Sequence, residues 1–257
     1  MELDKTIREN LDGDYLTIHV ENFKEGVEYA AQKKLQQIHL IGGRAKNVIV
    51  DFKELNKLSE TLQDISFIQD IGNVINFESI YNLKEMRKIY IHDKQKFTFD
   101  VSRFTKLQHL GGDYWNGLIN LDKAYSLTSL VICKYPFPNL VQFSALRNLE
   151  VLHIYGSKIQ NLDGVEKLSI RELSLARNNK LDDIHKINEV SSLENLEIEC
   201  CKKLLDFSFL KDNSYIEDLF IDKLDSIDFV ESMPNLKKIN FWNCKDGNMA
   251  PLLKSQS

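Results

Sequence analysis

The sequence is poor in the residues that interrupt regular structure. It has 4 prolines and 11 glycines in 257 residues, and no segment has the composition of a Pro-, Gly- or Ser-rich linker. No run of about 18 apolar residues occurs, and charge begins at the second residue, so neither a membrane span nor a signal peptide is expected. We therefore expect a continuous fold in a cytoplasmic protein that does not bind membranes.

Basic charge and paired cysteines are also scarce. The formal net charge is −5, which argues against a nucleic-acid binder because such proteins neutralise phosphates with basic residues. The cysteines Cys133, Cys200, Cys201 and Cys244 form neither a C-x-x-C pair nor zinc-type spacing, which fits a reduced compartment. The glycine pairs match no phosphate-loop pattern. No cofactor is therefore expected.

What the sequence does contain is an internal repeat. The pattern L-x-x-L-x-L returns about ten times, for example at Leu149/Leu152/Ile154. The repeats start at residues 35, 62, 86, 107, 127, 149, 170, 193, 216 and 236. The later apolar positions alternate with polar ones, which is typical of a strand with one buried face. The next apolar cluster in each repeat is too short for a regular helix and predicts 3-10 turns. Stacked repeats would share one core.

The two ends of the repeat array differ. Residues 1–34 are predicted to form an N-terminal cap, with a strand at 15–20 and an amphipathic helix at 23–34. Residues 35–257 are assigned to the repeats and a short tail. No comparable cap is evident at the C-terminus, so the tail either folds over the last repeat or that end meets a partner.

The ninth position of each repeat predicts what lies in its turn. It holds Asn178, Cys201 and Cys244 in three repeats, but Ser157 and Tyr135 in others. We therefore expect an asparagine ladder that is broken. Cys201 and Cys244 are expected to be buried turn residues rather than ligands or nucleophiles.

The spacing resembles the short leucine-rich repeat class, of about 22 residues, that bacterial internalins typify. Segment 148–169 (NLEVLHIYGSKIQNLDGVEKLS) carries the likeness most clearly, and the likeness extends over about 35–244. The resemblance implies an α/β leucine-rich repeat solenoid with a parallel concave sheet and a 3-10 or irregular convex side. It also implies protein recognition through the concave face, without catalysis. Without a secretion signal or wall anchor, the cytoplasmic bacterial type is the closer likeness.

Positions 3, 5 and 7 of each repeat are expected to face the concavity. In the seventh to ninth repeats these positions carry a group of carboxylates, Glu172, Glu197, Glu199, Asp218 and Asp222. Such a group creates a negative field that would steer a basic partner protein. The alternative, a solvated acidic face without a partner, stays open.

Aromatic residues, histidines and one further acid lie on or beside the same face and are predicted to contact the partner. These predicted partner-binding residues are Tyr90, His92, Asp113, Tyr114, His153, Tyr155, Phe220 and Trp242. The predicted function is a scaffold that binds a basic protein and acts as a monomer or weak dimer. An intracellular inhibitor, immunity or regulatory protein would fit this description.

Two other functions stay open. His92, Asp113 and Cys133 share a predicted row, which suggests a metal-binding or hydrolytic protein. One row of side chains converges poorly, however, and zinc takes about four ligands. A nucleophilic pair of Cys133 with His153 has no evident orienting group. We therefore predict no catalytic or metal residue. The third possibility is a structural protein that self-assembles through its uncapped C-terminal end.

Overall fold

A computed structural model of the chain describes residues 3–11, 13–42 and 48–254. The chain divides into two compact units, Met1–Leu127 (unit 1) and Thr128–Ser257 (unit 2). This boundary falls inside the predicted repeats, so the division at residue 34 stays a prediction. The last residues of the predicted tail, 255–257, lie outside the described residues. Within the described part, no helix is long or apolar enough to cross a membrane.

Unit 1 is built on a mainly parallel sheet. Its strands are β1 (Ile7–Asn10), β2 (Gly13–His19), β3 (Gln37–Ile41), β4 (Ile49–Asp51), β5 (Asp64–Ile68), β6 (Asn73–Ile75), β7 (Lys88–Ile91), β8 (Phe99–Asp100), β9 (His109–Asp113) and β10 (Leu118–Ile119). The main sheet has the order β1-β2-β3-β5-β7-β9, while β4 pairs with β6 and β8 with β10. The unit's 3-10 helices are Val20–Asn22, Phe52–Leu58, Phe77–Asn82, Val101–Arg103 and Leu121–Lys123.

The predicted strand and helix near the N-terminus are present as β2 and as α1 (Phe23–Gln32). Helix α1 buries Phe23, Val27 and Ala30, which recur at helical spacing and so lie on one face. Gly26 allows close packing, because a Cβ there would lie 2.6 Å from the Cγ2 atom of Ile18. Strand β1 was not predicted, because it pairs antiparallel with β2 and has no buried residue to reveal it.

Unit 2 is more regular. Its strands are β11 (Ser129–Cys133), β12 (Val151–Tyr155), β13 (Glu172–Ala176), β14 (Asn195–Glu199), β15 (Asp218–Leu224) and β16 (Lys238–Cys244), and they pair in this order, all parallel. Its 3-10 helices are Val141–Phe143, Val165–Lys167, His185–Glu189, Ser208–Leu210 and Asp228–Ser232. In both units the strands fall on the predicted repeats and 3-10 helices follow them, as the periodicity predicted.

A ladder of polar side chains in unit 2 corrects the prediction of a broken one. Asn178 is fully buried, donates from Nδ2 to the carbonyl of Ile154 (2.8 Å) and accepts from the backbone N–H of Ser157 (2.9 Å). Ser157 then accepts from the N–H of Tyr135 through its hydroxyl (2.9 Å). A serine therefore continues the ladder, because its hydroxyl reaches the same backbone group. Cys201 is buried as predicted.

The C-terminal end of unit 2 is only partly covered. Helix α2 (Ala250–Lys254) packs against the 3-10 helix Asp228–Ser232, so part of the tail folds back on the unit. Even so, Ile239 and Phe241 of β16 are half-buried, although residues at the same positions of earlier strands are buried. Cys244 is half-buried too, which contradicts its predicted burial. Its Sγ atom lies 3.1 Å from Oδ1 of Asp246, in a turn that no further repeat covers in the described residues.

Candidate binding surface

The strand face of unit 2 carries a shallow depression, which we call the acidic depression. It has a volume of about 240 Å³ and is lined by Glu172, Leu173, Asn195, Leu196, Glu197, Asp218 and Phe220. In-register pairing places Glu172, Asn195 and Asp218 in one row, and Glu197 beside Phe220 in the next. Neighbouring parallel strands lie about 4.8 Å apart, which keeps these side chains close. The predicted acidic positions Glu172, Glu197 and Asp218 therefore converge.

Each of these three carboxylates has one polar neighbour within unit 2. Glu172 accepts from Nε2 of His153 (2.6 Å) and Glu197 from the Ser174 hydroxyl (3.1 Å). Asp218 forms an ion pair with Lys238 on β16 (2.8 Å). Lys238 and Ser174 were not predicted as site residues, although both occupy the same rows as the acids. A carboxylate accepts several hydrogen bonds, so each of these groups can still accept hydrogen bonds from a ligand.

Asp222 does not belong to this surface, which corrects its prediction as a partner-binding residue. It is 5% exposed, and its carboxylate accepts a hydrogen bond from the backbone N–H of Cys200 (2.9 Å). At the same point of the preceding repeat the N–H of Arg177 donates to the carbonyl of Glu199, whereas the N–H of Cys200 takes the Asp222 side chain as its acceptor. Asp222 therefore caps a turn. Glu199, the remaining predicted acid, is half-buried at the end of β14.

His153 and Tyr155 lie beside the depression and are hydrogen-bonded to each other. The Tyr155 hydroxyl is 3.1 Å from Nδ1 of His153 and 3.3 Å from the hydroxyl of Ser174. Burial raises the pKa of Tyr155, so its hydroxyl keeps its proton at neutral pH. Both predicted residues are half-buried, and they face Glu172 and Glu197 across the strands of unit 2.

The predicted aromatic anchors Phe220 and Trp242 form a pair. Their ring centroids are 5.4 Å apart in an edge-to-face arrangement. Trp242 is 69% exposed, so most of this large ring is accessible to a partner. Exposed tryptophan beside a partly buried ring is typical of binding anchors in protein interfaces.

The predicted residues of unit 1 form a separate group. Tyr90 and Asp113 are half-buried, His92 is exposed, and Tyr114 is half-buried with its pKa raised by burial. Tyr90 leans over Gly111, where a Cβ would lie 2.6 Å from its ring. A depression on unit 1 is lined by Glu85 together with Lys84, Arg103 and Lys106, so basic side chains balance its carboxylate.

The chemistry predicted as an alternative finds little support in the geometry. Among the described residues, no group of three or more His, Cys, Asp or Glu side chains could hold a metal ion. His153 directs its nitrogens to Glu172 and Tyr155, so it does not activate Cys133. Burial raises the pKa of Cys201 to about 11, which keeps this thiol protonated.

Comparison with known proteins identifies the fold. No family model matches the sequence, and no curated protein matches it. Among solved structures, internalin C2 (inlC2) from Listeria monocytogenes is 18% identical over 86% of this chain and 92% of its own, with a TM-score of 0.54. TLR13 in its complex with ssRNA13 is 17% identical, with a TM-score of 0.63 over 88% of this chain but 35% of TLR13. The chain thus has the leucine-rich repeat solenoid fold, and the predicted likeness to internalins is confirmed.

Proposed function

We propose that this chain is a protein-binding scaffold whose acidic depression receives a basic segment of its partner. The observation that carries the proposal is the convergence of Glu172, Glu197 and Asp218 around the ring of Phe220. Among the described residues, Lys238 is the one lysine or arginine paired with these carboxylates, so the depression remains negative.

The depression suits an arginine or lysine side chain. The aliphatic stem of such a residue can pack on apolar surface while its charged head reaches the carboxylates. A cation near the face of an aromatic ring gains about 0.5–1 kcal/mol at an exposed site. The exposed Trp242 then extends the apolar contact beside Phe220. Charge would steer the partner, and the two rings would supply most of the contact area.

A nucleic-acid partner is less consistent with this surface. The related fold in the TLR13–ssRNA13 complex shows that such a solenoid can occur with RNA. In this chain, however, the depression is lined by carboxylates, which repel phosphates, and the net charge is −5. As a finer proposal, the chain is an intracellular inhibitor, immunity or regulatory protein that holds a basic partner.

The test is binding of a fluorescein-labelled deca-arginine peptide. The wild type is expected to bind it with an affinity that falls as salt is added, since the attraction is electrostatic. The double variant Glu172→Lys/Glu197→Lys should lose at least about tenfold in affinity, because like charges then face the peptide. Fluorescence anisotropy at fixed ionic strength gives both values.

The matched control is the double variant Asp163→Lys/Glu189→Lys. It changes the net charge by the same amount, but both residues are exposed and lie outside the strands, Asp163 in a turn and Glu189 at the end of a 3-10 helix. It should bind as the wild type does, apart from a small general charge effect. Equal losses in the two double variants would show that only net charge matters, and would overturn the proposed site.

Self-association is a second candidate that one observation favours. The partly covered β16 presents half-buried Ile239 and Phe241 beside the exposed Trp242. Exposed apolar surface and a free strand edge are typical of contacts between copies. Light scattering checks this: a dimer that Trp242→Ser dissociates would support it, and a monomer at all concentrations would exclude it.

A further inference from the structure

Five side chains on the strand face of unit 2 form one hydrogen-bond network. In order they are Glu172, His153, Tyr155, Ser174 and Glu197. The contacts measure 2.6, 3.1, 3.3 and 3.1 Å, and they link strands β12, β13 and β14. Two residues at the ends of the network, Glu172 and Glu197, line the acidic depression. The network therefore joins a titratable imidazole to the surface proposed to bind the partner.

With a neutral imidazole, the side chains of the network supply three hydrogens for its four contacts. Glu172 accepts only, so the single ring hydrogen of His153 must lie on Nε2. Nδ1 then accepts the hydroxyl hydrogen of Tyr155. Ser174 uses its own hydrogen on Glu197, so no hydrogen is left for the contact between Tyr155 and Ser174.

With a protonated imidazole the same geometry is complete. Both ring nitrogens then donate, Nε2 to Glu172 and Nδ1 to the oxygen of Tyr155. Tyr155 can donate to Ser174, and Ser174 to Glu197, so every contact contains one hydrogen. The added positive charge lies between two carboxylates, and hydrogen bonds to ionised groups are the stronger kind. The geometry therefore fits the imidazolium form better than the neutral form.

We propose that protonation of His153 weakens binding at the acidic depression, so that a basic partner is held near neutral pH and released as the pH falls. This inference rests on the proposed function. The imidazolium neutralises part of the field of Glu172, the carboxylate that it contacts. A cationic ligand and the proton thus compete for the same carboxylates, and by linkage each lowers the affinity for the other.

The other titratable groups around His153 do not reproduce this behaviour. Cys133 is the titratable residue of β11, Tyr155 shares β12 with His153, Glu172 is on β13, and Glu197 and Glu199 are on β14. Thiols and phenols ordinarily change charge above neutral pH, and carboxyl groups below about pH 5. Histidine is the side chain whose charge ordinarily changes between about pH 5 and 8. The window from about pH 7.5 to 5.5 therefore isolates the imidazole.

The experiment measures binding of the same deca-arginine peptide at both ends of that window, at constant ionic strength. The wild type is expected to lose about fivefold in affinity on acidification, the lower end of ordinary site coupling. The variant His153→Gln should lose this pH dependence, because glutamine can donate to Glu172 and accept from Tyr155 but cannot take up a proton. Equal affinity of the wild type at both pH values, or an unchanged loss in His153→Gln, overturns the proposal.

The matched control is His185→Gln. His185 also lies beside a carboxylate, with Nδ1 2.8 Å from Oδ1 of Asp183, but it lies on the 3-10 helix His185–Glu189. This variant removes one histidine charge without touching the network and should keep the fivefold loss of the wild type. If it also abolishes the pH dependence, the effect comes from net charge, and the network is not its cause.

A second measurement separates the network from the proposed function. Imidazole ¹⁵N NMR should show that Nδ1 of His153 gains a hydrogen on acidification and that this signal shifts in Tyr155→Phe. If the peptide does not bind the wild type even at pH 7.5, the proposed function fails, while the NMR result still tests the network. An Nδ1 signal that is unchanged in Tyr155→Phe would overturn the network itself.

Discussion

Units 1 and 2 build the same repeat from different cores. In unit 1 the ring of Phe52 lies within 5.6–6.4 Å, centroid to centroid, of four other phenylalanines, Phe23, Phe67, Phe77 and Phe97. In unit 2 the 3-10 side also buries rings, such as Phe143 and Phe207, but they lie among aliphatic residues such as Leu162 and Leu181. The early repeats are also less even in length. Large rings fill the variable space that longer repeats leave, whereas even repeats allow leucines to stack.

The two units also satisfy their turn backbones differently. In unit 1 the buried Gln95 accepts from the N–H of Ile71 (3.2 Å) and donates to the carbonyl of Gln69 (3.0 Å). In unit 2 the shorter Asn178 and Ser157 serve the same purpose. Buried backbone groups must be paired, so the length of the side chain follows the distance that the turn leaves. The same repeat fold can therefore pair its turn backbone with a long side chain, as in unit 1, or with shorter ones, as in unit 2.

The largest expected effect tests the aromatic core. Phe52→Ala in unit 1 should lower the free energy of unfolding by about 4 kcal/mol, since it removes a fully buried ring that contacts several others. Leu173→Ala in unit 2 should cost about 3 kcal/mol, because a smaller side chain is lost. Urea denaturation followed by circular dichroism measures both.

The double variant Phe52→Ala/Phe97→Ala sharpens this test. Because the two rings are in contact, its cost should differ from the sum of the single costs by at least about 0.5 kcal/mol. Strict additivity, or a cost for Phe52→Ala below that for Leu173→Ala, would contradict the idea that unit 1 depends on a joined aromatic cluster.

The next largest effect on stability comes from replacing one glycine in each unit by alanine. Gly112 of unit 1 has φ +133°, and a Cβ there would lie 1.9 Å from the carbonyl oxygen of Ile91, so Gly112→Ala should cost about 3 kcal/mol. Gly156 of unit 2 has φ +56° and no atom within 4 Å of such a Cβ, so Gly156→Ala should cost about 1 kcal/mol. The urea midpoints of the two variants rank them. Similar midpoints would show that the close approach in unit 1 relaxes at little cost.

Gly112 also illustrates what could be predicted from the sequence. Periodicity predicted the strands, because a leucine that returns every twenty-odd residues leaves few alternatives for burial. In the repeat that starts at residue 107, Gly112 occupies the place of the last apolar residue of the pattern. The reason for that glycine is a backbone contact with a neighbouring strand, which no pattern along the chain records. Strand β1 was missed for a related cause, since it pairs only through its backbone and buries no side chain.

The candidate site could be predicted as far as the register between neighbouring strands could be predicted. Equal positions in successive repeats lie side by side, so the repeat spacing alone was enough to group Glu172, Glu197 and Asp218. Asp222 is buried instead, and its carboxylate accepts from the N–H of Cys200, whereas the equivalent N–H of the preceding repeat, that of Arg177, donates to a strand carbonyl. Strand β15 continues through Asp222 to Leu224 while β14 ends at Glu199, and periodicity does not specify this difference.

The smallest predicted effect tests the polar ladder of unit 2. Asn178→Ala should cost about 2 kcal/mol, because it leaves the buried N–H of Ser157 and the carbonyl of Ile154 without this partner. Cys201→Ala should cost about 1 kcal/mol, since its Sγ makes weak hydrogen bonds, a long contact of 3.5 Å to the carbonyl of Leu175 and one from the backbone N–H of Asn178. If both variants unfold at the same urea concentration, burial alone explains how much the ninth residue of a repeat contributes to stability. The ranking predicted here instead requires that the amide's two hydrogen bonds hold successive turns together more strongly than the weak hydrogen bonds of a thiol of similar size.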